Sequence, residues 1–190
     1  MLDTMVGLVE EYGVEGAICS RFLSDEIHVL VDAGIADSSD DARFNAVIGE
    51  EFAHIQIHQG LLLTIDSVES FLQVQADPYW PRFELDARNY SAAIRMPCQL
   101  VEDEAQRLYP EIADEIGFGQ TRQIERALTA KMARSFVVPF DDMESRLLNW
   151  PCEIFRRVER SVLDCSLELV GDNPMSKIKP NRIVQRRFSF

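Results

Sequence analysis

The chain has only three histidines in 190 residues, so each one has to be accounted for. Long apolar runs are missing. None approaches the roughly 18 residues a helix needs to cross a bilayer, so no membrane span is expected. The opening residues Met1-Leu2-Asp3-Thr4-Met5-Val6-Gly7 lack a basic cluster followed by a long apolar segment, so no export signal is expected and the expected location is the cytoplasm. Cysteine is sparse. Cys19, Cys98, Cys152 and Cys165 are far apart, with no C-x-x-C pair. In a chain without an export signal they are expected as reduced core thiols rather than disulfides or a zinc knuckle. Internal repeats and low-complexity stretches are missing too.

Basic charge is also in short supply: 19 Lys and Arg face 32 Asp and Glu, for a formal charge of −13. Five of the basic residues (Lys177, Lys179, Arg182, Arg186, Arg187) fall after Met175, where there is no acid. The first 174 residues therefore carry 14 basic against 32 acidic side chains, a net −18. A body this acidic repels phosphate backbones, which argues against direct nucleic-acid binding. The basic tail is expected to fold back on the acidic body or to stay disordered.

What is present is ordinary globular material, 46% hydrophobic and 27% charged, of one-domain size. Val6–Tyr12 reads as the end of a short helix broken by Gly13 and Gly16. Glu26–Val31 is apolar and β-branched and reads as a strand, with His28 in a structural place within it. After a polar loop at 36–41, helical periodicity runs from Asp41 to Leu63, with Phe44, Val47, Ile48, Phe52, Ile55 and Leu62 on its apolar face. The prolines of Pro78-Tyr79-Trp80-Pro81 mark a loop. Helices are expected over 82–96, over 101–116 with an interruption near Pro110, over 121–135 and over 140–148. A helix or strand mixture follows to Val170, and Gly171-Asp172-Asn173-Pro174 sets off the tail.

Glu50-Glu51-Phe52-Ala53-His54, with His58 one turn further, carries the chemistry. Residues four apart share a helix face, so Glu50, His54 and His58 form one stripe with Glu51 beside it. The pattern is H-E-x-x-H with glutamate in the first histidine's place. In that motif the first and last residues bind zinc and the glutamate between them is a general base. A catalytic zinc needs a third protein ligand. Glu84, near the start of a helix with a small apolar face, is the candidate. The plain alternative is a solvated acidic helix that happens to carry two histidines.

Three stretches, in order, resemble the ImmA/IrrE family of zincin-like metallopeptidases. Arg43-Phe44 followed by Ile48-Gly49-Glu50-Glu51-Phe52-Ala53-His54-Ile55-Gln56-Ile57-His58 is similar to the family's active-site helix. Glu84-Leu85-Asp86-Ala87-Arg88-Asn89-Tyr90-Ser91-Ala92-Ala93-Ile94-Arg95-Met96-Pro97 is similar to its E-x-x-A-N-x-F-A-A-x-L-L-M-P segment. Met132-Ala133-Arg134-Ser135-Phe136-Val137-Val138-Pro139, continuing to Met143 and Arg146-Leu147, is similar to the helical segment after the protease core. Together they cover about residues 15 to 150.

The resemblance implies an α+β, mainly helical fold: a zincin-like core over 1–117 whose small N-terminal antiparallel sheet packs on the active-site helix, helix-turn-helix-like helices over 118–174, and the basic tail over 175–190. It implies Glu51 as general base and Glu50, His54 and Glu84 as metal ligands. His58 and Arg88 would support the site or add a ligand, and Tyr79 and Tyr90 are candidate oxyanion donors. Two carboxylates and one imidazole make a harder set than two histidines and one glutamate, so the cofactor is one divalent metal: zinc first, with manganese or iron(II) also accommodated. The family's substrates are helix-turn-helix repressors, so the implied partner is a protein and the implied role is transcription regulation in a phage, mobile-element or stress response. Glu50 keeps a second reading open: a non-catalytic relative that binds a repressor or a toxin–antitoxin partner. A salt bridge from Glu50 to Arg43 or Arg88 would favour it.

Overall fold

The computed structural model describes residues 1–20, 27–65, 67–117 and 119–160. The expected elements over 161–170, the 171–174 break and the basic tail lie outside them. The described chain is mainly helical with one small three-stranded sheet, and its residues fall into two compact units.

The first unit comprises Met1–Arg95 with Val137–Pro139. It begins with β1 (Leu2–Met5), α1 (Leu8–Tyr12), β2 (Gly16–Ser20) and β3 (Ile27–Asp32). The strand order is β1-β3-β2, and the sheet is mixed rather than antiparallel as expected: β2 pairs antiparallel with β3, and β1 pairs parallel with it. The cause is local. Gly7 and Gly13, with φ of 82° and 70°, bracket α1 and turn the chain back. β2 therefore runs against β1, and β3, antiparallel to β2, runs with β1. The Met1 ammonium donates to the Ile27 carbonyl at 2.7 Å, and His28 Nδ1 lies 2.7 Å from Asp3 Oδ2, so β1 is tied to β3 at its start and through side chains.

Asp32 closes β3. Its carboxylate accepts from Gly34 N at 2.8 Å, capping α2 (Ala33–Ala36), and from Val9 N at 3.2 Å at the start of α1. These backbone donors hold its pKa below the usual carboxylate value, Val9 contributing most.

The long helix α3 (Asp41–Ile57) is capped by Asp40, whose side chain accepts from Arg43 N at 3.0 Å. Phe44, Val47 and Ile48 pack with Val29, Val31, Ile35 and Ala36, so the sheet lies on the N-terminal half of α3. Phe52, expected on the buried face, is 46% exposed. The helix stops at Ile57 rather than reaching Leu63. His58 leaves helical geometry (φ −116°, ψ 21°), and the short α4 (Gln59–Leu62) restarts beyond it. α5 (Val68–Gln75) is fixed by a reciprocal Ser67–Ser70 capping box. α6 (Trp80–Arg95) begins two residues earlier than the prolines suggested, because Pro81 falls in its first turn, where no backbone N–H is required.

The second unit starts at Met96 and takes in the described residues from there, apart from Val137–Pro139. The division falls ahead of α7 rather than at residue 117. α7 (Cys98–Ile116) packs on α8 (Thr121–Phe136), and α8 on α9 (Phe140–Leu148); residues 154–160 are also helical. α7 runs through Pro110 without interruption. Leu108, Tyr109, Ile112 and Ala113, all buried, hold the helix on both sides of the proline, and that packing outweighs one missing hydrogen bond. Met96, Ile112, Ile124, Leu128, Met132, Met143 and Leu147 fill this unit's core. Among the described residues, no helix is long and apolar enough to cross a membrane.

Candidate metal centre

Small residues bring two helices of the first unit together. On α3, Gly49 and Ala53 are four apart; on α6, Ala87 and Ser91 are four apart, so each pair lies on one helix face. Ala53, Ala87 and Ser91 are fully buried. A Cβ built on Gly49 would stand 2.5 Å from Ser91 Oγ and 3.0 Å from Arg95 Cδ, so only glycine permits this approach. Ser91 is held in turn by Arg95, whose Nε donates to its Oγ at 3.0 Å. The crossing sets Glu84, one turn before Arg88 on α6, opposite His54 on α3.

His54 Nε2 lies 3.6 Å from Glu84 Oε1, and His54 Nδ1 lies 2.9 Å from His58 Nδ1. Trp80 stacks on the His54 ring with centroids 6.4 Å apart, and Phe83 meets the His58 ring edge-on at 5.1 Å. Burial, followed by the neighbouring His58, pushes the His54 pKa down to about 4, so the imidazole is neutral at physiological pH. One proton is shared between His54 Nδ1 and His58 Nδ1, so when His54 supplies it, the Nε2 lone pair is left facing the Glu84 carboxylate. Burial raises the pKa of Glu84, while Arg88 opposes that shift.

Glu51 is the most enclosed acid of the group. A Cβ on Gly16 would stand 2.7 Å from Glu51 Oε1 and 2.7 Å from Val47 Cγ1, so β2 lays bare backbone across this carboxylate. Burial, then the charges of Glu84 and Glu50, push its pKa up to about 8. Gly16, expected from the sequence as a breaker, is a point of close approach at the first residue of a strand.

Glu50 is engaged elsewhere: Arg88 Nε lies 3.7 Å from its Oε2. Arg43, the other arginine considered for Glu50, pairs with Glu15. Among the described residues, no three His, Cys, Asp or Glu side chains are arranged to hold a metal ion. Tyr79 is 72% exposed, ahead of α6. Tyr90 lies about 120° round the helix from Glu84, on a different face.

The donors can be tested for their fit to a divalent cation. Two ligands at ~2.05 Å from one tetrahedral ion stand roughly 3.3 Å apart. The His54–Glu84 separation of 3.6 Å is close to that, and a neutral imidazole facing a carboxylate is the pairing such an ion requires. The carboxylates of Glu51 and Glu84 repel one another unless a cation or a proton offsets their charge. Two of the three expected ligands therefore fit as they stand, and Glu50 fits only on leaving Arg88. No protein-family model, curated protein or solved structure matched this chain, so the functional reading rests on the chemistry of these side chains.

Proposed function

We propose that this chain is a metal-dependent endopeptidase of the ImmA/IrrE type, with a zincin-like core and with a helix-turn-helix repressor as its protein substrate. The observation that carries this reading is the enclosed set of Glu51, His54 and Glu84. A fold gains no stability from crowding ionisable groups that must share protons, and such groups concentrate where chemistry is done. His54 and Glu84, joined by Glu50, would hold one divalent ion, with zinc first and manganese or iron(II) accommodated. Bound there, the ion would supply Lewis acidity to a substrate carbonyl and to a water.

The chain's own residues divide the remaining work. With the ion bound, His58 would accept the Nδ1 proton of His54 across their 2.9 Å contact, leaving Nε2 free to bind. Trp80 and Phe83 wall the two rings and limit water around them. Glu51, beside the ligand stripe, is largely protonated at neutral pH without the ion; beside the bound ion's charge its pKa would fall, so that its carboxylate takes a proton from the attacking water and passes it to the leaving amine. Because the body as a whole is so acidic, α8 and α9 suit packing or docking of the repressor better than contact with DNA, although α8 itself carries Arg122, Arg126, Lys131 and Arg134 against one acid, Glu125.

The test uses a peptide library from a cell proteome, incubated with zinc- or manganese-loaded protein, with new termini read by mass spectrometry. Wild type should cleave, and Glu51→Gln should be slower by about 10²- to 10⁴-fold. Equal cleavage by the two, or none by either, rejects the assignment.

One observation favours a second reading. Arg88 gives Glu50 a resident counter-charge, as expected of a metal-free module that binds a repressor or an antitoxin partner. Arg88→Gln separates the two. If Glu50 is a metal ligand, removing its competitor tightens zinc binding several-fold; if the chain is a metal-free module, zinc affinity is nil before and after.

A further inference from the structure

We propose that Cys98 and Cys152 form a reversible intramolecular disulfide in response to hydroperoxide, a covalent clasp on the second unit. Cys98 is the first residue of α7, and Cys152 follows the end of α9. They are 54 positions apart in the chain, yet their Sγ atoms stand 3.1 Å apart. Both are free thiols. Closing that separation to the ~2.05 Å of a disulfide needs a movement of about 1 Å.

The two thiols are not equivalent, and the difference assigns their roles. Cys152 is fully buried, whereas Cys98 is partly exposed and open to a small oxidant. Cys98 Sγ lies 3.7 Å from Glu102 Oε1, a carboxylate held at 3.0 Å by Arg157, and Glu102 is the acceptor for the thiol proton. The Cys152 S–H points at the Cys98 sulfur. Burial, then that contact, push the Cys152 thiol up to about 12, so it keeps its proton until it is called on. Cys98 is therefore the attacking thiol and Cys152 the resolving one.

The Cys98 thiolate attacks one oxygen of hydrogen peroxide, and the O–O bond breaks. Cys98 becomes a sulfenic acid, and the departing hydroxide takes the proton first lost from Cys98, giving water. The Cys152 sulfur then attacks the sulfenic sulfur. The S–S bond forms, the S–O bond breaks, and the hydroxide leaves with the Cys152 proton as a second water. Two thiols are oxidised and one peroxide is reduced to two waters.

The test uses the full chain carrying Cys19→Ser and Cys165→Ser, alongside wild type. Reduced protein is treated with hydrogen peroxide, residual thiols are blocked with N-ethylmaleimide, and peptides are mapped. The expected result in both proteins is a dithiothreitol-sensitive peptide joining Cys98 to Cys152, with the loss of two hydrogens. The thermal midpoint should rise by roughly 5 °C or more and fall back on reduction, because a long loop is closed in the unfolded chain. Adding Cys98→Ser should abolish both signals. Both thiols fully alkylated after peroxide, Cys98 driven to sulfinic acid without a crosslink, a crosslink between chains, or pairing to Cys19 or Cys165 in wild type would each overturn the proposal.

Discussion

The two units bury different things. Of the largest fully buried side chains, all but Val31 belong to the second unit, where methionine, leucine, isoleucine and valine fill the space among α7, α8 and α9. Its charges lie mostly outside, in pairs such as Arg107–Glu104 at 2.7 Å and Lys131–Glu111 at 3.0 Å. In the first unit, α3 and α6 cross on glycine, alanine and serine, and the volume saved is given to Glu51, Glu84, His54 and His58. One unit is built on apolar burial. The other gives up apolar burial to bring ionisable groups together, and that is the signature of a site rather than of a core.

That contrast can be broken first where the largest effect is expected. Leu128→Ala removes a fully buried side chain from the second unit and should destabilise the protein by about 2–5 kcal/mol in urea unfolding. A loss below ~1 kcal/mol would mean that this core is not the stabilising one.

Glu51→Gln is expected to act in the opposite direction. An acid whose folded pKa lies above its unfolded value stabilises the fold most below the unfolded value, and that contribution is lost as pH rises through the folded value. For Glu51 the window runs from its ordinary 4.5 to about 8. Ion-free wild type should therefore weaken across that window, and Glu51→Gln should be the more stable protein at pH 8 by about 4 kcal/mol. Parallel stability–pH curves for the two would show that Glu51 is not strained.

Gly49→Ala and Gly60→Ala form a matched pair. Alanine normally favours a helix by about 1 kcal/mol. At Gly60 a Cβ meets nothing within 4 Å, so a gain is expected, whereas at Gly49 the contact with Ser91 Oγ at 2.5 Å should turn the change into a loss of roughly 1–2 kcal/mol. If both variants gain, the close crossing is not real.

The smallest effect is at Val137, a β-branched, exposed residue with φ of 51°. Val137→Gly should stabilise by about 1 kcal/mol or less in the same unfolding assay.

Much of this was legible in the sequence where periodicity is local. The helices around Glu50, Glu84, Thr121–Phe136 and Phe140–Leu148 follow from apolar spacing and from glycine and proline punctuation. What could not be read depends on distant partners. β1 is four residues long and becomes a strand only by pairing with β3, more than twenty positions away. α5 starts on a serine–serine box rather than the Ser-x-x-Glu pattern that marks a helix start. The stripe of Glu50, His54 and His58 follows from helix geometry, but whether Glu50 faces Glu84 or Arg88 depends on side-chain competition between two helices. Gly16 looks like a breaker in one dimension and Gly49 like one more residue of a continuous helix; only the fold reveals what a Cβ would strike at either.

The central claim is that His54 and Glu84, joined by Glu50, hold a cation beside Glu51, and equilibrium dialysis of the ion-free protein against zinc tests it most directly. One zinc per chain in wild type, with affinity at least ~100-fold weaker in Glu84→Ala, is the predicted result. No bound zinc in wild type, or unchanged binding in Glu84→Ala, would contradict it.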